Sequence, residues 1–360
     1  MNDHEHPLAT LPRIAHHHRY KRPSYCRQRP ATPEPSLPLG QILLGDAAST
    51  LATLPAASVD LAVTSPPYYR LRDYGVAGQL GLEGAVEEWA NRIVAVCDEL
   101  ARVLKPTGSL FLNLGDSYSR HVSHGAEPKS LLLAPERVAL ALIERGWRLR
   151  NKVVWSKPAP MPSSVADRLT PSWEPIYFFV RSQRYHFDLL PIRQPHKTKP
   201  GKPRPLTRSG KYDAEQAHWA GPLAGSNNGI AKARAEGRPG HPDGRNPGDV
   251  WTVSTARYTG AHFATYPLRL VERPILAACP ERVCTTCGLP WHRVRRELVV
   301  SCACGGGWRP GVVLDPFMGA GTTAIAAERA GREWIGIELN ASYRQLALER
   351  IAGDRVSRGG

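Results

Sequence analysis

Two short segments of the chain hold residues whose types and spacing can do chemistry. The first is Thr64-Ser65-Pro66-Pro67-Tyr68-Tyr69. Proline fixes its own φ and has no N–H, so Pro66 and Pro67 present carbonyl oxygens and the Ser65 hydroxyl in a stiff array beside the Tyr68 ring. Such an array suits an exocyclic amino group: the oxygens accept its hydrogens and the aromatic ring stacks on the base that carries it. Pro-Pro after a strand is also an ordinary rigid turn, so this segment alone leaves both readings open.

The second is the run GVVLDPFMGAGTT, Gly311 to Thr323, which reads as strand, glycine turn and helix start. Gly319 and Gly321 let the backbone turn tightly and approach a ligand. Thr322 or Thr323 can cap the helix, whose N-terminus offers free N–H groups. About twenty residues further on, a second strand ends in Glu338, an acidic group placed to accept hydrogen bonds from ribose hydroxyls. The turn lacks the Gly-Lys-Ser/Thr ending of a triphosphate loop, and Asp315 stands directly before it. A carboxylate there repels phosphate and suits an amine-bearing or cationic ligand. S-adenosylmethionine, with an amino group, a sulfonium and a ribose but no phosphate, fits these residues better than a dinucleotide.

The elements that must hold these segments alternate between strand and helix. QILLGD and VDLAVT read as buried strands, with helical spacing in the AASTLATLPAAS between them. Residues 85–105 place Val86, Trp89, Ile93, Val96, Leu100 and Leu104 on one face, an amphipathic helix stopped by Pro106 and Gly108. SLFLNLGD, RNKVVWSK and EPIYFFV follow as strand candidates, with a helix around Pro135–Arg145 before the last two. TYPLRLVERPILAAC, TTAIAAERAG and ASYRQLALERIAG read as helices, and GVVLD and EWIGIEL as strands. This alternation predicts an α/β, Rossmann-like fold with a largely parallel sheet covered on both faces.

Composition narrows the function classes. The 360 residues include 47 Lys plus Arg against 32 Asp plus Glu, a formal charge of +15, and 42% are hydrophobic, enough for a real core. The positive excess favours a polyanionic partner, nucleic acid first and an anionic membrane second. No apolar stretch approaches the ~18–20 residues of a membrane span, and the N-terminus lacks the apolar core of a signal peptide. A cytosolic protein that does not engage a membrane is expected. Residues 1–40, with seven prolines, five histidines and six Lys or Arg, read as a flexible basic arm, and His16-His17-His18 there as a solvated tail. Residues 191–250 hold nine prolines and eleven Lys or Arg against five acids, too long and aperiodic for an ordinary connection. They read either as a disordered insertion or, preferably, as a recognition segment ordered by a polyanion.

With these motifs in place, the sequence resembles the amino-group DNA methyltransferases. Their catalytic motif is Asp, Asn or Ser before Pro-Pro and an aromatic, here SPPY, and their cofactor motif is of the D-P-F-x-G-x-G-T-T type, here DPFMGAGTT at 315–323. Catalytic motif first and cofactor motif last is the order of the circularly permuted β class, as found in phages and bacteria. The resemblance covers about 40–190 and 260–350. It implies a methyl transfer from S-adenosylmethionine to the amino group of a flipped-out base in double-stranded DNA, with Ser65, Pro66, Pro67 and Tyr68 as the catalytic set. It implies cofactor contacts from Asp46, Thr265, Asp315, Pro316, Phe317, Gly319, Gly321, Thr322, Thr323, Glu338 and Asn340, with FATYPLRLVERPI at 263–275 packing on the methionine part.

Family members with Ser at the first motif position are mostly cytosine-N4 enzymes, and those with Asp mostly adenine-N6 enzymes. Cytosine-N4 is therefore favoured, with adenine-N6 as the alternative and a non-catalytic DNA-binding protein as the alternative of another class. Carbon-5 methylation of cytosine needs a Cys nucleophile, usually after Pro, and no Pro-Cys pair exists here. A restriction endonuclease counterpart is a further expected partner; the oligomeric state is left open.

Seven cysteines, an odd number, do not resemble a secreted disulfide framework. Cys284-x-x-Cys287 and Cys302-x-Cys304, fourteen residues apart, can supply four thiolates to a structural zinc ion, with reduced free cysteines as the other reading. The expected domains are thus the arm 1–40, a catalytic half 41–190, a recognition insertion 191–260, a cofactor half 261–280 with 310–360, and a zinc-binding insertion 281–309.

Overall fold

The computed structural model describes residues 36–196, 241–255, 266–294 and 296–359. The basic arm up to residue 35, the centre of the 191–260 segment and Thr265 lie outside the described residues. The elements run β1 (Gln41–Leu44), α1 (Ala47–Thr53), β2 (Val59–Thr64), α2 (Val86–Val103), β3 (Leu104–Asn113), α3 (Ala134–Glu144), β4 (Arg148–Ser156) and β5 (Trp173–Val180). There follow β6 (Val250–Thr252), α4 (Leu268–Ala278) and the short strands β7 (Val283–Cys284), β8 (His292–Val294), β9 (Glu297–Val299) and β10 (Trp308–Arg309). β11 (Val312–Asp315), α5 (Thr322–Arg329), β12 (Glu333–Glu338) and α6 (Ala341–Gly359) close the chain.

Among the described residues, eight strands form one sheet in the order β1-β12-β11-β2-β3-β5-β4-β6. Alternate residues of a strand face opposite sides, and here each side meets its own helices. Ala62, Leu110 and Leu112 pack with Leu51 of α1, Trp89 and Ile93 of α2 and Val138 of α3. Leu61, Val63 and Phe111 pack with Leu270 of α4, Ile325 of α5 and Ile351 of α6. Both faces are covered, which explains the continuous apolar runs of the central strands. Each buried Leu, Ile, Val or Phe among them contributes about 1.5–3 kcal/mol.

The expected largely parallel sheet is present but for one strand, and the extent of one helix needs correction. The sheet is mixed: β5 runs antiparallel to both β3 and β4. The β4–β5 connection carries no helix, and a strand that returns without a crossover pairs antiparallel. The helix α2 also ends at Val103, before Pro106 and Gly108, and Leu104 opens β3 instead of closing the helix. Its predicted buried face is otherwise present at Val86, Trp89, Ile93, Val96 and Leu100. β3 pairs with β2 through a register shift between Val59 and Leu61, and Pro106 falls in that irregular stretch, where a missing N–H costs little.

Apart from β5, the strands of the sheet run in one direction. Their C-terminal ends therefore gather along one edge, together with the start of β5. In open α/β sheets that edge is where ligands bind.

Candidate active site

At that edge β11 and β2 are neighbours, so the glycine turn and the SPPY loop emerge side by side. Asp315, at the end of β11, is only 1% exposed. Its carboxylate accepts from Thr64 Oγ1 (2.7 Å), Phe317 N–H (3.0 Å), Tyr266 OH (2.8 Å) and Thr323 Oγ1 (2.5 Å). Tyr266 and Thr323 also share a hydrogen bond. Burial raises the Asp315 carboxyl above its ordinary range, against the lowering effect of these donors. The residue expected to face a ligand amine instead lies behind the cavity wall and ties both loops and the segment before α4 together.

The turn itself uses left-handed backbone at Gly319 (φ 52) and Gly321 (φ 77). Gly321 is the N-cap of α5, and no side chain caps the helix. The expectation that Thr322 or Thr323 caps it does not hold: the Thr323 hydroxyl is spent on Asp315, and Thr322 Oγ1 receives Arg350 Nη1 at 2.8 Å. The first-turn N–H groups of α5 thus lack a side-chain cap, and Thr322 of that turn lines the cavity. Glu338 closes the turn from β12, accepting Gly319 N–H (2.8 Å) and Asn340 N–H (2.9 Å) on different oxygens. Each oxygen keeps acceptor capacity for a further donor. Burial pushes the Glu338 carboxyl up, despite those N–H bonds.

Asp46 enters from β1, whose Leu44 pairs with Glu338 in register. It caps α1 through Ser49 N–H (3.0 Å) and Ser49 Oγ (2.7 Å) and stays exposed to the cavity. Its partial burial would raise the carboxyl, but the Ser49 bonds outweigh it and hold it below the ordinary value.

The SPPY loop is anchored from α2, where Trp89 Nε1 donates to the Pro67 carbonyl at 2.9 Å. Among the described residues the hydrogen bonds leave the Pro66 carbonyl open. Ser65 Oγ donates to Tyr68 OH (3.1 Å), which reaches Glu174 Oε2 (2.8 Å) and Asn113 Oδ1 (3.1 Å). Glu174 is also paired with Lys157. Burial and the Glu174 charge drive the Tyr68 phenol well above its ordinary value, so it stays a neutral donor. The half-buried ring lies so close over Gly115 that a Cβ there would overlap its Cε2 and Cδ2 atoms.

A cavity of about 820 Å³ joins these parts. Asp46, Ser65, Pro66, Pro67 and Tyr68 line it, as do Pro316, Phe317, Gly319, Thr322, Glu338 and Asn340. Asp315, Gly321 and Thr323 support the wall from behind. Sequence reasoning missed Tyr266, Asn113, Lys157 and Glu174. The available signal was a single acid, Glu174, at the head of the otherwise apolar EPIYFFV run, and a Tyr beside the expected Thr265.

The four cysteines of the insertion also come together, with their sulfur atoms all within 4.8 Å of one another. They sit beyond the start of β11, at the opposite end of that strand from Asp315, and take no part in the cavity. Cys97 is buried in the core. Among the described residues no helix is long and apolar enough to cross a membrane.

Comparison with known proteins places the chain in a family. Residues 59–349 match the family model N6_N4_Mtase, described as DNA methylase. The Type II methyltransferase M.Cfr9I of Citrobacter freundii is 32% identical over 332 residues, covering 86% of this chain and 87% of the relative. The Type II methyltransferase M.XycI of Xanthomonas campestris pv. cyanopsidis is 32% identical over 349 residues, 91% of this chain and 92% of the relative. Among solved structures, the PvuII DNA methyltransferase (cytosine-N4-specific) superimposes with a TM-score of 0.54 at 18% identity, covering 88% of this chain and 94% of that one, a likeness of fold.

Proposed function

The chain belongs to the N6/N4 DNA methylase family and is a DNA methyltransferase; from that premise we propose that it methylates the N4 amino group of cytosine in double-stranded DNA, using S-adenosylmethionine. The observation that carries this reading is the single cavity walled on one side by SPPY and on the other by the glycine turn with Asp46 and Glu338.

The donor set fits S-adenosylmethionine. Glu338 has acceptor capacity for ribose hydroxyls, Asp46 is an exposed carboxylate beside it, and the α5 start offers N–H groups without a phosphate-binding lysine in the turn. When bound, that cofactor supplies an electrophilic methyl on a sulfonium. Asp46, Phe317, Gly319, Glu338 and Asn340 would hold it.

The protein's own residues must make a poor nucleophile attack. The lone pair of an exocyclic amine is delocalised into its ring, and hydrogen bonds from the amine to Ser65 Oγ and the Pro66 carbonyl favour a more tetrahedral nitrogen. Because Ser65 Oγ directs its own hydrogen to Tyr68, its lone pairs remain for the substrate. Tyr68 is in turn fixed by Glu174 and Asn113, so the array is set before the base arrives. Positioning of this kind is worth a large share of the barrier. An amine inside a duplex is out of reach, so the base must be flipped into the cavity, with the open face of Tyr68 as its platform.

Ser65 in place of an acid supports cytosine-N4 over adenine-N6. The uninterrupted motifs support catalysis over mere DNA binding. The Type II naming of the two relatives supports a modification role beside an endonuclease, and the basic 191–260 segment supports a role in holding the target.

The test is to treat DNA with protein and cofactor, digest it to nucleosides and separate them by mass. N4-methylcytosine is expected. N6-methyladenine alone would reverse the base assignment, and unmodified DNA would overturn the reading. Ser65→Ala should lower the rate by about a hundredfold; full activity in that variant removes Ser65 from the site.

A further inference from the structure

The 281–309 insertion leaves and rejoins the fold at one point, where Gly311 N–H donates to the Pro280 carbonyl at 3.1 Å. Its strands are two or three residues long, and Val294, Val299, Val300 and Trp308 are 38–50% exposed. A module of 29 residues with so small an apolar core does not hold itself together without a staple.

Four thiols occupy the place of that core. Cys284, Cys287, Cys302 and Cys304 each offer one sulfur, all within 4.8 Å of one another, and none is in a disulfide. Four thiolates around zinc at ~2.3 Å would stand about 3.8 Å apart, so small shifts close the set on one ion. The first pair forms a tight knuckle. Gly288, at φ 68, returns its N–H to the Cys284 carbonyl at 2.9 Å. The N–H groups of Thr286 and Cys287 point at the Cys284 sulfur and that of Leu289 at the Cys287 sulfur, the complement a negatively charged ligand needs. The second pair is laid against this knuckle by Thr285 N–H, which donates to the Gly307 carbonyl at 3.1 Å. Gly306 passes so close that a Cβ would run into Thr286 Oγ1.

The β8–β9 hairpin of the same insertion reaches outward through two arginines. Arg293 Nε pairs with Asp188 at 2.7 Å, and Arg296 Nε donates to Asp243 at 2.9 Å. These acids lie on the two sides of a stem in which Gln194 and Arg245 exchange backbone hydrogen bonds (3.0 and 2.8 Å) and Arg193 Nη1 donates to Gly244 O at 2.7 Å.

We propose that the four cysteines bind one structural zinc ion and that the ribbon so closed braces the stem formed by residues 188–196 and 241–249. Thiolate donors select zinc over magnesium or calcium, and four protein ligands leave no open position for catalysis. The metal acts on the architecture around the stem and leaves the cavity at the far edge of the sheet untouched.

Elemental analysis of the purified full-length protein should find about one zinc per chain, released when a mercurial reagent titrates the thiols. Iron at that stoichiometry, or substoichiometric metal with four freely reactive thiols, overturns the zinc site. Because a Cys302→Ser, Cys304→Ser protein loses its metal ligands and its fold together, the release experiment on the unaltered protein decides this arm. For the brace, limited proteolysis is read at the stem. Chelation, and separately Arg296→Ala in protein that keeps its zinc, should open cleavage sites within 188–196 and 241–249. Unchanged resistance after chelation overturns the brace.

Discussion

Replacing Gly115 with alanine should disable the reaction while sparing cofactor binding. The φ of Gly115 is not positive, so its backbone accepts an L residue. The obstacle is the Tyr68 ring: the new Cβ would overlap Cε2 and Cδ2 and lie 3.2 Å from Cζ. Carbon contacts settle at about 3.5–4.0 Å, so the ring must retreat by about 1 Å or more. Its hydroxyl then leaves Glu174, now at 2.8 Å, for a distance beyond the ~3 Å range of a useful O–H···O bond. A hydrogen bond to a charged group is worth about 1.5–3 kcal/mol, and the Ser65 tie, already 3.1 Å, goes with it. At about 1.4 kcal/mol per decade, kcat should fall roughly 10- to 100-fold. Asp46 and Glu338 are anchored through Ser49, Gly319 and Asn340, none of which the ring touches, so the cofactor Kd should stay within about twofold. The assay is single-turnover transfer of labelled methyl to DNA, with cofactor affinity measured calorimetrically on the same preparation. A variant with unaltered kcat and a folded-state melt like the parent would refute the claim that Tyr68 is held for catalysis by this network.

Three further outcomes follow from other parts of the structure. Lys105→Met should cost about 3–5 kcal/mol in a denaturant titration, because Lys105 Nζ sits 2.8 Å from Asp60, which is 2% exposed and would be left a buried charge; a loss below about 1 kcal/mol would mean that Arg309, 3.9 Å from the same carboxylate, takes over the pairing. Cofactor affinity should weaken on acidification before an ordinary Glu would titrate. The raised Glu338 carboxyl must be ionised to accept ribose donors, so Kd climbs as pH falls through its elevated pKa, and Glu338→Gln should bind weakly with that pH dependence removed. Folding stability should also drop in acid through His186, whose burial pushes it down to about 4 from 6.5. A depressed group contributes its full stability above the unfolded value and loses it as pH falls towards the folded one, by at most about 1.4 kcal/mol per unit; His186→Asn should flatten the melting temperature between pH 6.5 and 4, and an unchanged slope would exclude the imidazole as the cause.

What could be read from the chain was whatever physics writes locally. The 3–4 spacing of Val86, Trp89, Ile93, Val96 and Leu100 marks a helix because helical geometry puts those positions on one face. The Pro pair and the Gly pair announce their turns because each restricts or frees φ by itself. The metal-type spacing of the four cysteines likewise survives in three dimensions. What escaped depends on partners far away in sequence. Thr323 has the chemistry of a cap, yet its hydroxyl is claimed by Asp315, whose other side-chain donors are residues 64 and 266. Only the adjacency of β11 and β2 brings those together. Glu174 stands 106 positions from Tyr68 and reaches it because β5 runs backwards, beginning at the edge where its neighbours end. The one reversal in an otherwise parallel sheet, which the strand–helix alternation did not announce, is therefore what delivers an acid to the SPPY loop. A strand laid parallel at that place would have ended in Val180 at the site edge, with no carboxylate to hold the phenol and none to turn the Ser65 hydrogen away from the substrate.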